Sequence, residues 1–436
     1  MVPQSLGLGA ISLILNTGER MLIFLVMNLL IALGFGGWNL YLAIRRPMGM
    51  LHYLPEQVRS FNKMVILVPA MNEEETIADT VTRLLQIAQD VQNTFDLRIM
   101  VIDDASSDGT VEALSALGRH AHLTLLKRQL PNAQTGKGDA LNAALDWLGQ
   151  HHMVSDKTII GVIDSDSTPE TAFFNKVHWA FNHSHYDLVQ TGVSINNAHT
   201  FLGLMQEFEF NVANKLVQVM RMDWGSALAS GNGQFMTLEM ARSIRWSDAL
   251  LDDLEFSLKG LLKGYYGGFL PYNPVPQQAT SVYRALLRQR TRWCQGGMQC
   301  LFKYGRQIAK SPRIAGRLKV DIWAFMLLPF IGLFILPTSV SAILTYGWLM
   351  VGNFGFQTAI MVVIVVANLG LNLLLLRAAK MAAVYRQRGQ IVKMLVGNLI
   401  YIWLLAPVPY MALYRLLTGQ NGWAKTTHAQ LSGGES

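Results

Sequence analysis

Apolar and polar positions divide this chain into three stretches. At both ends the apolar residues run almost without interruption, while in the middle they fall into short bursts separated by amphipathic segments. Residues 21–44 carry no charged side chain, and 24 residues rising about 1.5 Å each cross a hydrocarbon core of about 30 Å. This predicts a transmembrane helix. A cleaved signal peptide has an apolar core of only about 7–15 residues after a basic start, whereas Glu19 and Arg20 precede this longer run. Residues 322–351, 357–376 and 391–417 are further candidate spans, the last containing Lys393, Pro407 and Pro409. Pro329 and Pro337 offer a place for an interfacial helix to give way to a span.

Between Lys63 and about Tyr272 the period changes. Residues 64–68, 97–102, 123–126 and 158–163 have the lengths and β-branched content of buried strands, with helical stretches between them. Such β-α-β alternation predicts an α/β domain on a mostly parallel sheet covered on both faces. Its ligand crevice should lie beyond the carboxyl ends of the strands. Residues 201–220, which mix aromatics with Glu207 and Glu209, are read as a surface-lying helix, with core packing as the alternative. Residues 282–308, rich in arginine, are read as an interfacial helix on anionic lipid. The expected order is an N-terminal segment (1–20), a transmembrane helix (21–44), a linker (45–62), the α/β domain (63–280) and an interfacial region (281–318). About three transmembrane helices (319–418) and a tail (419–436) follow.

Composition supports this division. The chain is 51% hydrophobic and 15% charged, against about 25% charged in soluble proteins, which excludes a disordered chain and argues against an ordinary soluble enzyme. The net charge of +7 gains meaning from its placement. Arg45, Arg46, Arg377, Lys380, Arg386 and Arg388 flank apolar runs, so the positive-inside rule puts them and the α/β domain in the cytoplasm. Four spans, both termini outside and a multi-pass cell-membrane protein are the resulting expectation. Basic residues at membrane flanks and the lack of any nucleic-acid-binding signature speak against a nucleic-acid partner. Cys294 and Cys300 read as free packing thiols in a reducing compartment, and no Cys/His pair has zinc-site spacing.

The strand ends carry the chemistry. Residues 69–74 (Pro-Ala-Met-Asn-Glu-Glu) follow the first strand, 103–109 (Asp-Asp-Ala-Ser-Ser-Asp-Gly) the second and 164–166 (Asp-Ser-Asp) the fourth. Two carboxylates one residue apart suit a hard divalent cation on a diphosphate ligand. A lone Asp-x-Asp is more often a plain turn, but here three acidic strand ends converge on one crevice. Lys137, in a Gly-flanked turn before an Ala-Leu-rich helix, is placed to meet a phosphate together with that helix N-terminus.

These segments, in this order, with Gly136-Lys-Gly-Asp-Ala-Leu-Asn142 and Gln289-Arg-Thr-Arg-Trp293, resemble the family 2 glycosyltransferases. The likeness is to the membrane-embedded, processive β-glycan synthases that make cellulose, hyaluronan, chitin and poly-N-acetylglucosamine. It implies a GT-A domain, a Rossmann-like nucleotide-diphospho-sugar transferase fold, inserted between transmembrane helices. It implies a nucleotide-sugar site at Pro69, Asn72, Glu73, Asp103, Asp104, Lys137, Asp164, Gln289 and Arg292, with Asp104 reading the uracil and Ala105 replacing the usual Gly. Mg²⁺ or Mn²⁺ would sit on Asp164 and Asp166, and Gly231, Asn232, Gly233 and Trp293 would face the acceptor. Aligning residues 251–257 with the Thr-Glu-Asp motif makes Asp253 the general base, although Leu251 and Asp252 replace Thr and Glu. Asp252 would raise the pKa of Asp253 by like-charge repulsion.

The activity so implied is inverting transfer from UDP-glucose or UDP-N-acetylglucosamine to a growing β-glycan at the cytoplasmic face, with coupled export. Two alternatives stand beside it: a single transfer making a membrane glycolipid, and a silent sugar-nucleotide-binding subunit. The expected partners are the UDP-sugar, a glycan or lipid acceptor and membrane lipid. About three helices are few for a polysaccharide channel, which would call for a partner subunit or a homo-oligomer.

Overall fold

The computed structural model describes residue 54 and residues 56–349 and 388–420. The chain forms two compact units, Pro47–Pro329 with Val408–Ser436, and Met1–Arg46 with Phe330–Pro407. The expected spans at 21–44 and 357–376 lie outside the described residues.

The first unit is built on a seven-stranded sheet in the order β3-β2-β1-β4-β6-β5-β7. Its elements follow the chain as β1 (Lys63–Ala70), α1 (Ile77–Val91), β2 (Asp96–Asp103), α2 (Thr110–Ala116), β3 (Leu123–Lys127), α3 (Lys137–Gln150), β4 (Thr158–Val162) and α4 (Thr171–Asn182). Then come β5 (Leu188–Ile195), α5 (Phe201–Phe208), a π-helical segment (Glu209–Asn214), α6 (Lys215–Asp223), β6 (Gln234–Thr237), α7 (Leu238–Ile244), α8 (Asp252–Lys263) and β7 (Gly267–Gln277). α9 (Tyr283–Lys310), α10 (Gly316–Leu349), α11 (Arg388–Leu405) and α12 (Val408–Leu417) complete the described chain.

β1 shows why the sheet is covered on both faces. Met64, Ile66 and Val68 join one core with Ile77, Val81 and Leu84 of α1 and Phe174 and Phe181 of α4. Val65 and Leu67 join the other with Leu141, Ala144, Leu145 and Leu148 of α3. This is the period-2 division of a strand buried on both sides. β1 pairs in parallel with β2 and β4, and β2 with β3, which brings their carboxyl ends to one edge.

Beyond β4 the sheet departs from the purely parallel pattern. β6 runs antiparallel to both β4 and β5, while β7 is parallel to β5. These three strands are absent from the hydrophobic pattern for identifiable reasons. β6 has only four residues, β5 buries the polar Gln190 and Thr191, and β7 contains Pro271, Pro274 and Pro276, tolerable because it is an edge strand.

Three expectations need correction. Residues 201–220 do not form one surface-lying helix: α5, the π segment and α6 bury Met205, Phe208, Val212, Val219 and Met222. Pro329 and Pro337 do not interrupt α10. Residues 391–417 are not one helix, because a turn at Ala406 and Pro407 separates α11 from α12, as expected where proline cannot donate an intrahelical hydrogen bond. Among the described residues, one stretch, Val396–Leu417, is long and apolar enough to cross a membrane, and it contains that turn. The Arg221–Asp321 pair, buried at 2.5 Å, ties α6 to the start of α10, with Phe325 stacked 4.8 Å from the guanidinium.

Close packing across β4 and β6 gives a test of the core. Phe235 is fully buried against Phe173 and Phe174 at 5.6 and 6.2 Å. It pairs with Gly161, where a Cβ atom would lie 2.5 Å from its ring. Phe235→Ala should cost about 3–5 kcal/mol and Gly161→Ala about 1–3 kcal/mol. Gly161→Ala combined with Phe235→Leu should cost less than the sum of the two single changes, since the smaller side chain yields the space. Denaturant unfolding of the purified protein followed by tryptophan fluorescence reads all three.

Candidate active site

Four loops and two helix starts meet at the carboxyl edge of the sheet. After β1, Asn72 adopts a left-handed backbone with φ +57°. Its N–H donates to Ser106 Oγ at 3.0 Å and its Oδ1 accepts from the Ser107 N–H at 2.8 Å. The Glu73 N–H donates to Thr110 Oγ1 at 2.7 Å, so the loops after β1 and β2 are laced together. Asp103 is buried and accepts from the Ser106 N–H at 3.3 Å. Ala105 stands at φ +58°, a conformation that glycine adopts without strain. Its carbonyl accepts from Gln134 Nε2 at 2.9 Å.

Asp104 is held by Arg128, the residue just after β3, through a 2.5 Å ion pair in which both side chains are 7% exposed. Arg128 also pairs with Asp139 of α3. Burial raises the pKa of Asp104, only partly offset by the hydrogen bond from the Gln134 backbone and by Arg128. Arg128 was missed in the sequence, although it occupies the same strand-end position that singled out the other acidic loops.

Lys137 opens α3 directly after Gly136, whose φ of +139° turns the chain into the helix. Its Nζ lies 2.5 Å from Asp164 Oδ1. Burial alone would lower the lysine pKa, but the charges of Asp164, Asp252 and Asp253 outweigh it and raise it. Asp166 accepts from the Gln278 N–H at 3.2 Å. Burial first, and the charge of Asp164 second, push its pKa up to about 7.

Asn232 organises this loop. Its Oδ1 accepts from the Asp164 N–H at 3.1 Å, and its Nδ2 donates to Ser167 Oγ at 2.9 Å and Gln277 Oε1 at 2.8 Å. Its carbonyl accepts from Gln190 Nε2 at 2.8 Å. The Asn232 side chain, 3% exposed, is thus engaged inside the protein. Gly233, at φ +67°, packs so closely on Thr191 that a Cβ would overlap its hydroxyl. Gly231 faces Asp253, with a Cβ position 3.5 Å from Oδ2.

Asp253 lies in the first turn of α8 with Asp252. Its pKa is pushed up to about 7, by burial first and by the charge of Asp252 second, against the Leu254 N–H, Lys137 and Arg292. Glu255, two residues on in the same first turn and 1% exposed, accepts from Lys303 Nζ at 2.5 Å and Tyr304 Oη at 2.6 Å, fastening α8 to α9. From α9, Gln289 and Arg292 reach the crevice, where Gln289 Oε1 and Arg292 Nε are buried without a hydrogen-bond partner. Trp293 instead meets Phe210 edge-on at 6.1 Å and lies under Arg290 at 4.3 Å. Arg290 is paired with Glu209 at 2.7 Å.

The structure therefore gathers Pro69, Glu73, Asp104, Lys137, Asp164, Asp166, Gln289 and Arg292 on one crevice, with Gln277 and Gln278 added from the end of β7. Asn72, Asp103, Asn232 and Gly233 support its walls. A polar crevice at the carboxyl edge of an α/β sheet, with acidic strand ends and the unpartnered Gln289 Oε1 and Arg292 Nε, has the features of a ligand site.

Residues 159–418 match the family described as Glycosyl transferase family group 2, and residues 65–238 match Glycosyl transferase family 2. The chain belongs to glycosyl transferase family 2. It is 26% identical to the Beta-monoglucosyldiacylglycerol synthase of Synechocystis sp. over 64% of this chain and 56% of that protein. It is 27% identical to the Probable glycosyltransferase YdaM of Bacillus subtilis over 69% of each. It is 23% identical to the Poly-beta-1,6-N-acetyl-D-glucosamine synthase of Staphylococcus aureus over 62% of this chain and 64% of that protein. The match thus spans little more than half the length of the first of these relatives. The fold is shared with the mannosyltransferase PcManGT of Pyrobaculum calidifontis, solved with GDP-Man and Mn²⁺. That likeness has a TM-score of 0.57 at 16% identity and covers 92% of this chain and 98% of that one.

Removing Arg128 would strand the buried Asp104 carboxylate. Arg128→Met should destabilise the protein by about 3–5 kcal/mol at neutral pH. The deficit should shrink as the pH falls, because protonating Asp104 removes the uncompensated charge. Unfolding midpoints measured from pH 4 to pH 8 check both parts.

Proposed function

We propose that this protein transfers a sugar from an α-linked UDP-sugar, UDP-glucose or UDP-N-acetylglucosamine, to an acceptor hydroxyl with inversion. The observation that carries the reading is the placement of Asp253. It is a half-buried carboxylate at the first turn of α8 with a raised pKa, set beside Gly231 and within the charge field of Lys137 and Arg292. In the proposed reaction the acceptor oxygen attacks the anomeric carbon, its proton passes to the Asp253 carboxylate, and the bond from that carbon to the UDP oxygen breaks. Lys137, the N-terminus of α3 and Arg292 face the negative charge that grows on the departing diphosphate. Gln289 Oε1 and Arg292 Nε, buried and unpartnered, are available to the donor. Asp104 is assigned to the uracil of the nucleotide.

The donor set fits Mg²⁺ or Mn²⁺. Asp164 and Asp166 share one strand-end turn, and among the described residues no cluster of three His, Cys, Asp or Glu ligands forms. One or two carboxylates completed by ligand phosphates is how such cations are held. When bound, the cation would neutralise charge on the leaving diphosphate.

The acceptor has two readings. Gln289, Arg292 and Trp293 favour a growing β-glycan with coupled export, through the resemblance to processive synthases. The relatives named Beta-monoglucosyldiacylglycerol synthase favour one transfer to a lipid. Either acceptor suits a multi-pass protein of the cell membrane with a cytoplasmic site, supported by the apolar runs at 21–44, 357–376 and in α10.

Membranes containing the full chain, incubated with radiolabelled UDP-sugars, test the reading. UDP release is expected from the wild type, and Asp253→Asn should reduce it by about 10²–10⁴-fold while UDP binding persists. No release from any donor by the wild type would end the enzymatic reading. The size of the labelled product separates polymer from glycolipid.

The pH profile offers an independent check. The base must be ionised, so kcat/KM should climb about tenfold per unit below pH 7 and level off above it. Charges facing Asp253 come from Asp252 on its own helix and from Lys137 and Arg292. Asp252→Asn removes the repulsive one and should move the acidic limb to lower pH; a limb that stays in place would remove Asp253 from the role of base.

A further inference from the structure

Lys137 stands between two groups of acids. Its Nζ is in contact with Asp164 Oδ1 at 2.5 Å, and the charges of Asp252 and Asp253 reach it from α8. Its position is set by the backbone: it is the first residue of α3, fixed by Gly136, and the next residue, Gly138, packs against Ser247 and Trp246 so closely that a Cβ would lie 2.3 Å from the Ser247 carbonyl oxygen. The helix start therefore has little freedom to retreat. Asp164 is equally constrained, because Asn232 holds its N–H and Ser167 beyond it. A lysine on a fixed helix start and a carboxylate on a fixed loop share one short ion pair at the place assigned to the cation.

We propose that Lys137 is a displaceable counter-ion, which neutralises Asp164 while the crevice is empty and releases it to a divalent cation only when a diphosphate arrives to receive the ammonium. A cation entering alone would have to break this pair and then lie beside an unpaired ammonium. A diphosphate entering alone would draw Lys137 away and leave Asp164 and Asp166 facing two phosphates. Entering together, each ligand removes the other's penalty, so the crevice takes cation and nucleotide as a linked pair. This inference rests on the proposed nucleotide-sugar site and adds to it an order of charge exchange in which the lysine has two successive partners.

The test measures Mn²⁺ binding to the full purified chain by electron paramagnetic resonance of free Mn²⁺, with and without UDP. Asp166→Asn identifies the relevant signal as the one it abolishes. In the wild type, Mn²⁺ alone should bind weakly and UDP should tighten it at least about tenfold, with Mn²⁺ tightening UDP by the same factor. In Lys137→Met and Lys137→Gln, Mn²⁺ alone should bind about tenfold more tightly than in the wild type, because a competing charge has gone. The help given by UDP should shrink correspondingly. Lys137→Arg, which keeps a cation, should stay near the wild type. A gain in affinity is not produced by damage to the fold, so both neutral variants failing to tighten Mn²⁺ would overturn the proposal. Failure of UDP to bind the wild type would count against the nucleotide-sugar reading, while the Mn²⁺-only comparison would still decide the role of Lys137.

Discussion

Crowding of negative charge at one edge of the sheet is the constraint on which the rest of the site depends. Glu73, Asp164 and Asp166 line the crevice, and Asp252 and Asp253 stand at the adjoining start of α8. Like charges brought together and partly desolvated repel strongly, and the protein answers with a small set of cations and aimed N–H groups. Lys137 takes Asp164, the Gln278 N–H takes Asp166, and the Leu254 N–H takes Asp253. Asp166 and Asp253 still have raised pKa values, through burial first and the charges of Asp164 and Asp252 second.

Holding repelling groups in place requires stiff anchors, and the fold supplies them from outside the crevice. Asn232 joins four segments, reaching Asp164, Ser167, Gln277 and Gln190. Glu255 fastens the helix carrying Asp253 to the helix carrying Arg292. Both anchors are buried polar side chains, costly unless their bonds are made, so they favour a single arrangement of the loops they join. Arg128 performs the same service between the loop after β2 and α3.

How much of this was legible in the sequence follows from how local each feature is. The strands β1 to β4 and the acidic loops after β1, β2 and β4 are contiguous in the chain, so period and motif disclose them. β5, β6 and β7 owe their place to neighbours distant in sequence: Gln190 is buried because it bonds the backbone of Asn232, and Phe235 because Gly161 makes room for it. The same holds for 201–220, where the apolar residues pack inward while Glu207 meets the Ile195 N–H and Glu209 meets Arg290, partners that lie far away in the sequence. Asn232 shows the limit most clearly. Its Gly-rich surroundings resemble an acceptor segment, yet its side-chain atoms are spent on holding the loop of Asp164.

The π-helical segment extends the argument to the acceptor side. It places Phe210 edge-on to Trp293, while Glu209 from the same turn fixes Arg290 over the indole face. A guanidinium stacked on an indole and tied to a carboxylate restricts the ring from one side and leaves it little rotational freedom. π-helical turns are rare and collect at functional sites, because the extra residue re-aims side chains that a regular helix would send elsewhere. Here the re-aimed residues are the two that brace Trp293. The Trp293 ring is thus positioned by the same means as the carboxylates: polar contacts from a part of the chain distant in sequence, here the Arg290–Glu209 pair.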